Sequence, residues 1–327
     1  MLWLCHFSAC ARQTSRSVCL MDQYSLVTTY FSDWIDAYKR SVVRPVTLRK
    51  YETSLKRLGE IAPALTIASL DRRAYQGILN IYALTHERQT TLDFHHQLRA
   101  AILDAIDDGL LAHDPTRRAV ATGVVHEQRA VKFLSLGQLE KLLAVLNLTG
   151  GPSWDHFIYI VAKTGLRFAE ALGVTPADVS LEESTVMVSK TWDYKSATPR
   201  FAPTKNRSSI RRIKLDHSTA NVIGVLMDGL PTAQAIFVTP GHRVFNEVVN
   251  NRLRHLCTLA GVPQITVHGL RHTHASILLF AGVSVASVAR RLGHANMTTT
   301  QRTYLHVIEE LEAQDDEKAT RCLEALG

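Results

Sequence analysis

Three histidines and an arginine fall within seven positions of the stretch HGLRHTHASIL, residues 268–278. Read as a helix, the stretch carries His268, Arg271 and His272 on one side, because residues three and four apart are neighbours. Two histidines four apart can hold zinc when a glutamate accompanies them, as in His-Glu-x-x-His. Here the glutamate is missing, and a guanidinium stands between the would-be ligands. A fixed positive charge beside a divalent cation opposes metal binding and suits a bound anion. The expectation is an anion pocket with no metal and no cofactor, completed by residues from elsewhere in the chain.

Three other stretches supply them. TGLRFAEALGV places Arg167 just after a glycine that stops a helix, with Glu170 three residues on. PTKNRSS places Lys205 in a turn leading into a strand, and RRLGHANMTTTQRTYLH carries His294 and, ten residues later, Tyr304. Singly, each has an ordinary structural use: an arginine caps, a lysine is solvated, a tyrosine packs with its hydroxyl satisfied. Glu170 either orients a neighbouring arginine or covers its helix. His272 and His274 are expected to be buried, hydrogen-bonded helix residues with no part in the chemistry.

Taken in order, Arg, Lys, His-x-x-Arg, Leu-Gly-His and Tyr resemble the signature of the tyrosine recombinases, the family of phage integrases and related site-specific recombinases. The resemblance runs over nearly the whole chain from about Met21. It departs at Asn206, where a threonine often follows the lysine, and at the amino end, where no segment of the size of an arm-DNA-binding domain precedes Met21.

The resemblance implies a fold that is mainly α with a small antiparallel β-sheet: a helical core-binding domain over 21–118, a linker over 119–132, and a mixed α+β catalytic domain with a carboxyl-terminal tail over 133–327. It implies that Arg167 and Arg271 clamp the non-bridging oxygens of a DNA phosphate. Tyr304 is then the nucleophile, His268 the base and Lys205 the acid for the departing 5′-oxygen, while His294 donates a hydrogen bond. The product is a covalent 3′-phosphotyrosine that a second 5′-hydroxyl can reverse. The implied function is cutting and rejoining DNA for integration or excision of a phage or mobile element. The alternatives are type IB topoisomerase-like strand passage and a catalytically silent DNA-binding protein of the same fold. Implied partners are double-stranded DNA, three further copies of the chain in a tetramer on paired sites, and accessory bending or excision factors.

The elements that must position these residues are visible as periodicity. Tyr30, Phe31, Trp34, Ile35 and Tyr38 recur at three- and four-residue steps and mark a buried stripe. After Pro45 a second helix buries Leu48, Tyr51, Leu55 and Leu58, and its other side bears Arg49, Lys50, Lys56 and Arg57, a candidate DNA-contacting face. Helices follow near SLDRRAYQGILNIYAL and TTLDFHHQLRAAILDAIDDGLL. RAVATGVVHEQRAVKF reads as an extended linker. Ser135 is placed to cap the next helix, and another ends at Gly165. STVMVSKTWDY and SSIRRIKLD read as strands of one sheet, with KSATPRFAPTKNR as hairpin or loop, and AIFVT as a strand or buried segment.

Composition permits this reading without requiring it. Lys and Arg exceed Asp and Glu to give +7, compatible with nucleic acid. The cysteines Cys5, Cys10, Cys19, Cys257 and Cys322 are odd in number and form no C-x-x-C pair, so a reducing compartment is expected. No uninterrupted apolar run reaches transmembrane length, so no membrane partner is expected, and the resemblance implies a bacterial cytoplasmic, nucleoid-associated setting. The opening twenty residues read as a disordered extension or an upstream start. In the tail, Val307, Ile308, Leu311 and Leu323 form a short apolar pattern that docks in cis or on a neighbouring copy.

Overall fold

The computed structural model describes residues 22–125, 133–196, 198–239 and 241–304. The expected amino-terminal extension, the later half of the linker and the apolar pattern of the tail lie outside those residues. The chain divides into two compact units, Met1–Gln128 and Arg129–Gly327.

The first unit is helical: α1 (Val27–Tyr38), α2 (Pro45–Ile61), α3 (Arg72–Ala83) and α4 (Arg88–Asp107). Proline at the first position of α2 loses no helical hydrogen bond, and the Asp71 carboxylate caps α3 by accepting from the Ala74 N–H at 2.7 Å. Phe31, Trp34 and Ile35 of α1 join Leu58, Tyr75, Leu79, Phe94 and Leu98 in one core. Tyr38 departs from the expected stripe; it is 53% exposed and touches Trp34 only at its ring, 6.0 Å between centroids. Residues 119–125, expected as part of an extended linker, are extended and pinned to this unit. The Gln76 side chain bonds both the N–H and the carbonyl of Val120, and the Val124 N–H donates to His86 O. Gly123 lies where a Cβ would fall 2.1 Å from the Arg88 nitrogen, so glycine allows this close approach.

The second unit is built around α6 (Trp154–Thr164), buried on nearly every side because it is apolar nearly all round. α5 (Leu136–Ala144) precedes it, with Ser135 and Gln138 capping each other reciprocally. After α7 (Phe168–Leu172) come five short strands, β1 (Val179–Ser180), β2 (Thr185–Val188), β3 (Lys190–Asp193), β4 (Arg200–Pro203) and β5 (Arg211–Lys214). They form two antiparallel sheets among the described residues, where one was expected: β1-β2-β5 and the hairpin β3-β4. The run read as a single strand, 184–194, breaks between Val188 and Lys190 and feeds both. In AIFVT, Ala235, Ile236, Phe237 and Val238 are buried without strand pairing, and Thr239 is exposed.

β5 pairs with β2 in the register Val186↔Ile213 and Val188↔Arg211. Residues two apart share a face, so Arg211 points the same way as buried Ile213. Then follow α8 (His217–Met227), α9 (Asn246–Leu259), α10 (Val267–Phe280), α11 (Val285–Leu292) and α12 (Met297–Thr303). α10 packs along α6. Side chains of Thr266, Ser284 and Asn296 cap α10, α11 and α12.

Candidate active site

Two glycines set the geometry. α6 ends at Gly165 with φ +69°, and α11 ends at Gly293 with φ +67°, the left-handed conformation in which glycine carries no penalty. A Cβ on Gly165 would sit 2.7 Å from the His274 ring, and one on Gly293 would sit 2.9 Å from Arg211 Nη1. Both chain reversals therefore bring backbone carbonyls against side chains from other elements.

Those carbonyls collect guanidiniums. The last carbonyls of a helix lack intrahelical partners and form the negative end of its dipole. At the end of α11, Arg291 O accepts from Arg211 Nε at 2.6 Å, and Leu292 O from Arg271 Nη2 at 2.6 Å. Gly293 O accepts from Arg167 Nη2 at 3.1 Å. Arg271 Nη1 also donates to Gly165 O at 2.7 Å, tying α10 to the end of α6. Three arginines from α10, β5 and the cap of α7 thus converge on one helix terminus.

Glu170 partly balances them. It is 2% exposed; Oε1 accepts from Arg167 Nη1 at 2.8 Å, while Oε2 accepts from Arg211 Nη2 at 2.9 Å and from the Arg167 N–H at 3.0 Å. Burial pushes its carboxyl upward, but the hydrogen bonds and charge of Arg211, then Arg167, outweigh it and hold the group below its usual range. One carboxylate against three guanidiniums leaves the cluster positive. Arg167, whose side chain is 36% exposed, opens that excess to solvent. Arg271 is buried, and burial followed by Arg167 lowers it to about 9, still charged at neutral pH.

The histidines and the tyrosine border this cluster. His268 is exposed at its edge, lowered first by partial desolvation and then by Arg271 and Arg167. His294, half-buried after Gly293, is brought down to about 4 by burial and then by Arg271, Arg167 and Arg211, so it is neutral at pH 7. Its Nδ1 lies 2.6 Å from Thr300 Oγ1 on α12. Tyr304 follows α12 directly, 1% exposed among Ala275, Leu279, Val288 and Leu292. Burial raises its phenol to about 12, and Arg271 pulls the other way. Arg167, His268, Arg271, His294 and Tyr304 therefore gather around the end of α11. Lys205 is exposed on the turn between β4 and β5, six residues before Arg211.

Two residues of the cluster lay outside the expected set. Arg211 had a signal: IRRIKL alternates Arg211, Ile213 and Leu215 in the inward phase of a strand, and a charge in that phase demands a buried partner. His272, expected to be buried and idle, is half-buried with Nδ1 2.9 Å from the Tyr304 hydroxyl. No periodicity could have singled it out, since its partner is 32 residues away. His274 is the structural histidine anticipated. Burial, then Arg291, lowers it to about 3. Neutral His274 thus donates from Nδ1 to Ala162 O at 3.0 Å and accepts from Arg291 Nε at 2.9 Å.

In the first unit, Arg49, Lys50, Lys56 and Arg57 are all exposed on α2, in positions seven apart that share a face. Arg57 pairs with Glu60 at 2.6 Å, and Lys50 reaches Asp93 at 4.0 Å. Among the described residues no group of three or more His, Cys, Asp or Glu could hold a metal ion. Nor is any helix among them long and apolar enough to cross a membrane.

Residues 132–310 match the model of the phage integrase family, more than half of the 327-residue chain. The chain belongs to that family. It is 28% identical to the integrase of Staphylococcus phage L54a over 176 residues, covering 49% of this chain and 50% of that one. It is 22% identical to a "tyrosine recombinase XerC-like" protein of Caldanaerobacter subterraneus subsp. tengcongensis over 307 residues, 84% of this chain and 78% of that one. The fold is shared with the Tn1549 transposon integrase solved in complex with transposon right end DNA, with a TM-score of 0.74 at 19% identity, covering 90% of this chain and all of that one.

Proposed function

We propose that the protein is a site-specific DNA recombinase of the tyrosine type, serving integration or excision of a phage or mobile element. The observation that carries the reading is the convergence of Arg167, Arg271, His294 and Tyr304 on the carboxyl end of α11. A phosphodiester resists attack because its oxygens repel nucleophiles. Guanidiniums already fixed where charge accumulates stabilise the transition state more than the ground state. Arg271 and Arg167 take the two non-bridging oxygens with their free N–H groups, and His294 donates from its imidazole.

Tyr304 Oη attacks phosphorus as the bond to the 5′-oxygen breaks, and the phenol's proton passes to a histidine of α10. Lys205 protonates the departing oxygen from its turn. The phosphotyrosine conserves the energy of the broken bond, so religation by another 5′-hydroxyl needs no ATP. The duplex is held through phosphates by both units, with the Arg49, Lys50, Lys56 and Arg57 face contributing from the first. The surface ion pairs there are worth at most about 1 kcal/mol each and yield readily to phosphate. Four copies act together on paired sites.

A duplex carrying the junction sequence that flanks the encoding element, nicked beside the scissile phosphate, tests this. Wild type becomes covalently attached, while Tyr304→Phe binds equally well and forms no adduct. Binding without an adduct by the wild type points instead to a silent DNA-binding protein, and an adduct on the Phe variant shows that another residue attacks.

A further inference from the structure

Resting on that recombinase reading, we propose that Arg211 is the positioning residue for Arg167. It touches no DNA, and it fixes the two supports from which Arg167 meets the phosphate. A guanidinium offers its N–H donors in a rigid fork and accepts nothing. Those of the buried Arg211 are taken up by the protein. Nε donates to Arg291 O at 2.6 Å, Nη1 to Ser209 O at 2.9 Å and Glu170 Oε1 at 3.3 Å, and Nη2 to Glu170 Oε2 at 2.9 Å. Turned inward from β5, the side chain clasps α7 through Glu170 and the end of α11 through Arg291 O.

Arg167 leans on the same two supports from the solvent side. Its Nη1 donates to Glu170 Oε1 at 2.8 Å and to Leu292 O at 3.4 Å, and its Nη2 to Gly293 O at 3.1 Å. Arg271 also holds Leu292 O, and Arg211 adds the link from that helix end to Glu170. Gly293, without a Cβ, leaves the room this link needs.

Charge gives the link its consequence for the reaction. Glu170 is shared, each arginine engaging it through part of its fork, so Arg167 keeps N–H groups for a phosphate. With Arg211 gone, the buried carboxylate has Arg167 as its remaining guanidinium partner and draws it into a two-pronged pair. That pairing takes up the N–H groups meant for phosphate oxygens and leaves a negative charge beside them. The phosphate still binds the rest of the protein, but its transition state loses a clamp set in advance.

Single-turnover adduct formation on the nicked duplex at saturating protein tests this in a double-mutant cycle. The variants are Arg211→Gln, Arg167→Lys and their combination, with duplex affinity and melting temperature followed alongside. Arg211→Gln should bind the duplex like wild type and react roughly 10²-fold more slowly, the scale of loss when a reacting group is displaced by about an ångström. Arg167→Lys has already lost the fork, so adding Arg211→Gln to it should slow the reaction by no more than about twofold. Arg211→Lys keeps a charge beside Glu170, and with it the fold, but one ammonium cannot span Glu170 and Arg291 O. It should show a smaller loss with the same non-additivity, and it decides alone if Arg211→Gln does not fold. The assignment is overturned if either folded variant reacts at the wild-type rate. It is equally overturned if the loss recurs in full in the Arg167→Lys background, as a purely structural role requires, or falls on duplex affinity, as a DNA contact requires. Adduct formation by wild type tests the recombinase reading by itself. In DNA-free protein, Arg211→Lys should shift the Arg167 Nε–H resonance, and an unmoved resonance contradicts the coupling whatever the reaction.

Discussion

A carboxylate withdrawn from water stays ionised when the hydrogen bonds and charge of its guanidinium partners outweigh the cost of burial. Glu170 is in that position, joining Arg167, which faces solvent, to Arg211, which does not. Glu170→Gln keeps the shape and removes the charge, leaving Arg211 buried without its counter-ion. Breaking a buried pair from one side costs about 3–5 kcal/mol. Urea unfolding of the variant should show a loss of that order, and adduct formation should fall with it as Arg167 loses its anchor. A stability within about 0.5 kcal/mol of wild type, the range of a neutral surface change, would mean that Glu170 merely covers its helix.

At the scale of elements, the site depends on how α6 and α11 stop. Gly293→Ala would force an alanine into the left-handed region and press its Cβ to 3.1 Å from the Ser209 Cα as well as against Arg211. A cost of about 1–3 kcal/mol follows from the strained backbone alone. A lower melting temperature with adduct formation reduced beyond the loss of folded protein would show that the α11 carbonyls aim the arginines. Much of this framework was legible in the sequence, because caps and stops are local. Ser135, Gly165 and the stripe of α1 could be read from a few neighbouring residues. The split of 184–194 between two sheets could not, since it is decided by β5 and β4, which pair with its two halves from further along the chain. The same holds for the site. The residues supplying charge were legible as a pattern of types. Arg211 and His272 emerge only when β5 meets α7 and α12 meets α10.

At the scale of the whole molecule, the second unit carries histidines that folding keeps neutral. His274 is held at about 3 and His294 at about 4, both below the ordinary 6.5, with burial the largest cause in each. Between those values and 6.5 the unfolded chain binds protons that the folded one refuses, so stability is complete above pH 6.5 and declines as pH falls. His274, nearly fully buried, contributes about 1 kcal/mol per pH unit over that interval. Scanning calorimetry at pH 7.5 and at pH 5 should show a clear drop in melting temperature on the acid side. A melting temperature that rises or stays level would mean that one or both histidines are charged in the folded protein.

Charge, helix ends and buried rings all serve a single claim, that Tyr304 forms a bond to DNA phosphorus. The most direct measurement digests the covalent complex with protease and nuclease and identifies the modified peptide by mass spectrometry. One peptide containing Tyr304, bearing a nucleotide attached through its 3′-phosphate, is expected. A nucleotide on any other residue, or one joined through its 5′-phosphate, would contradict it.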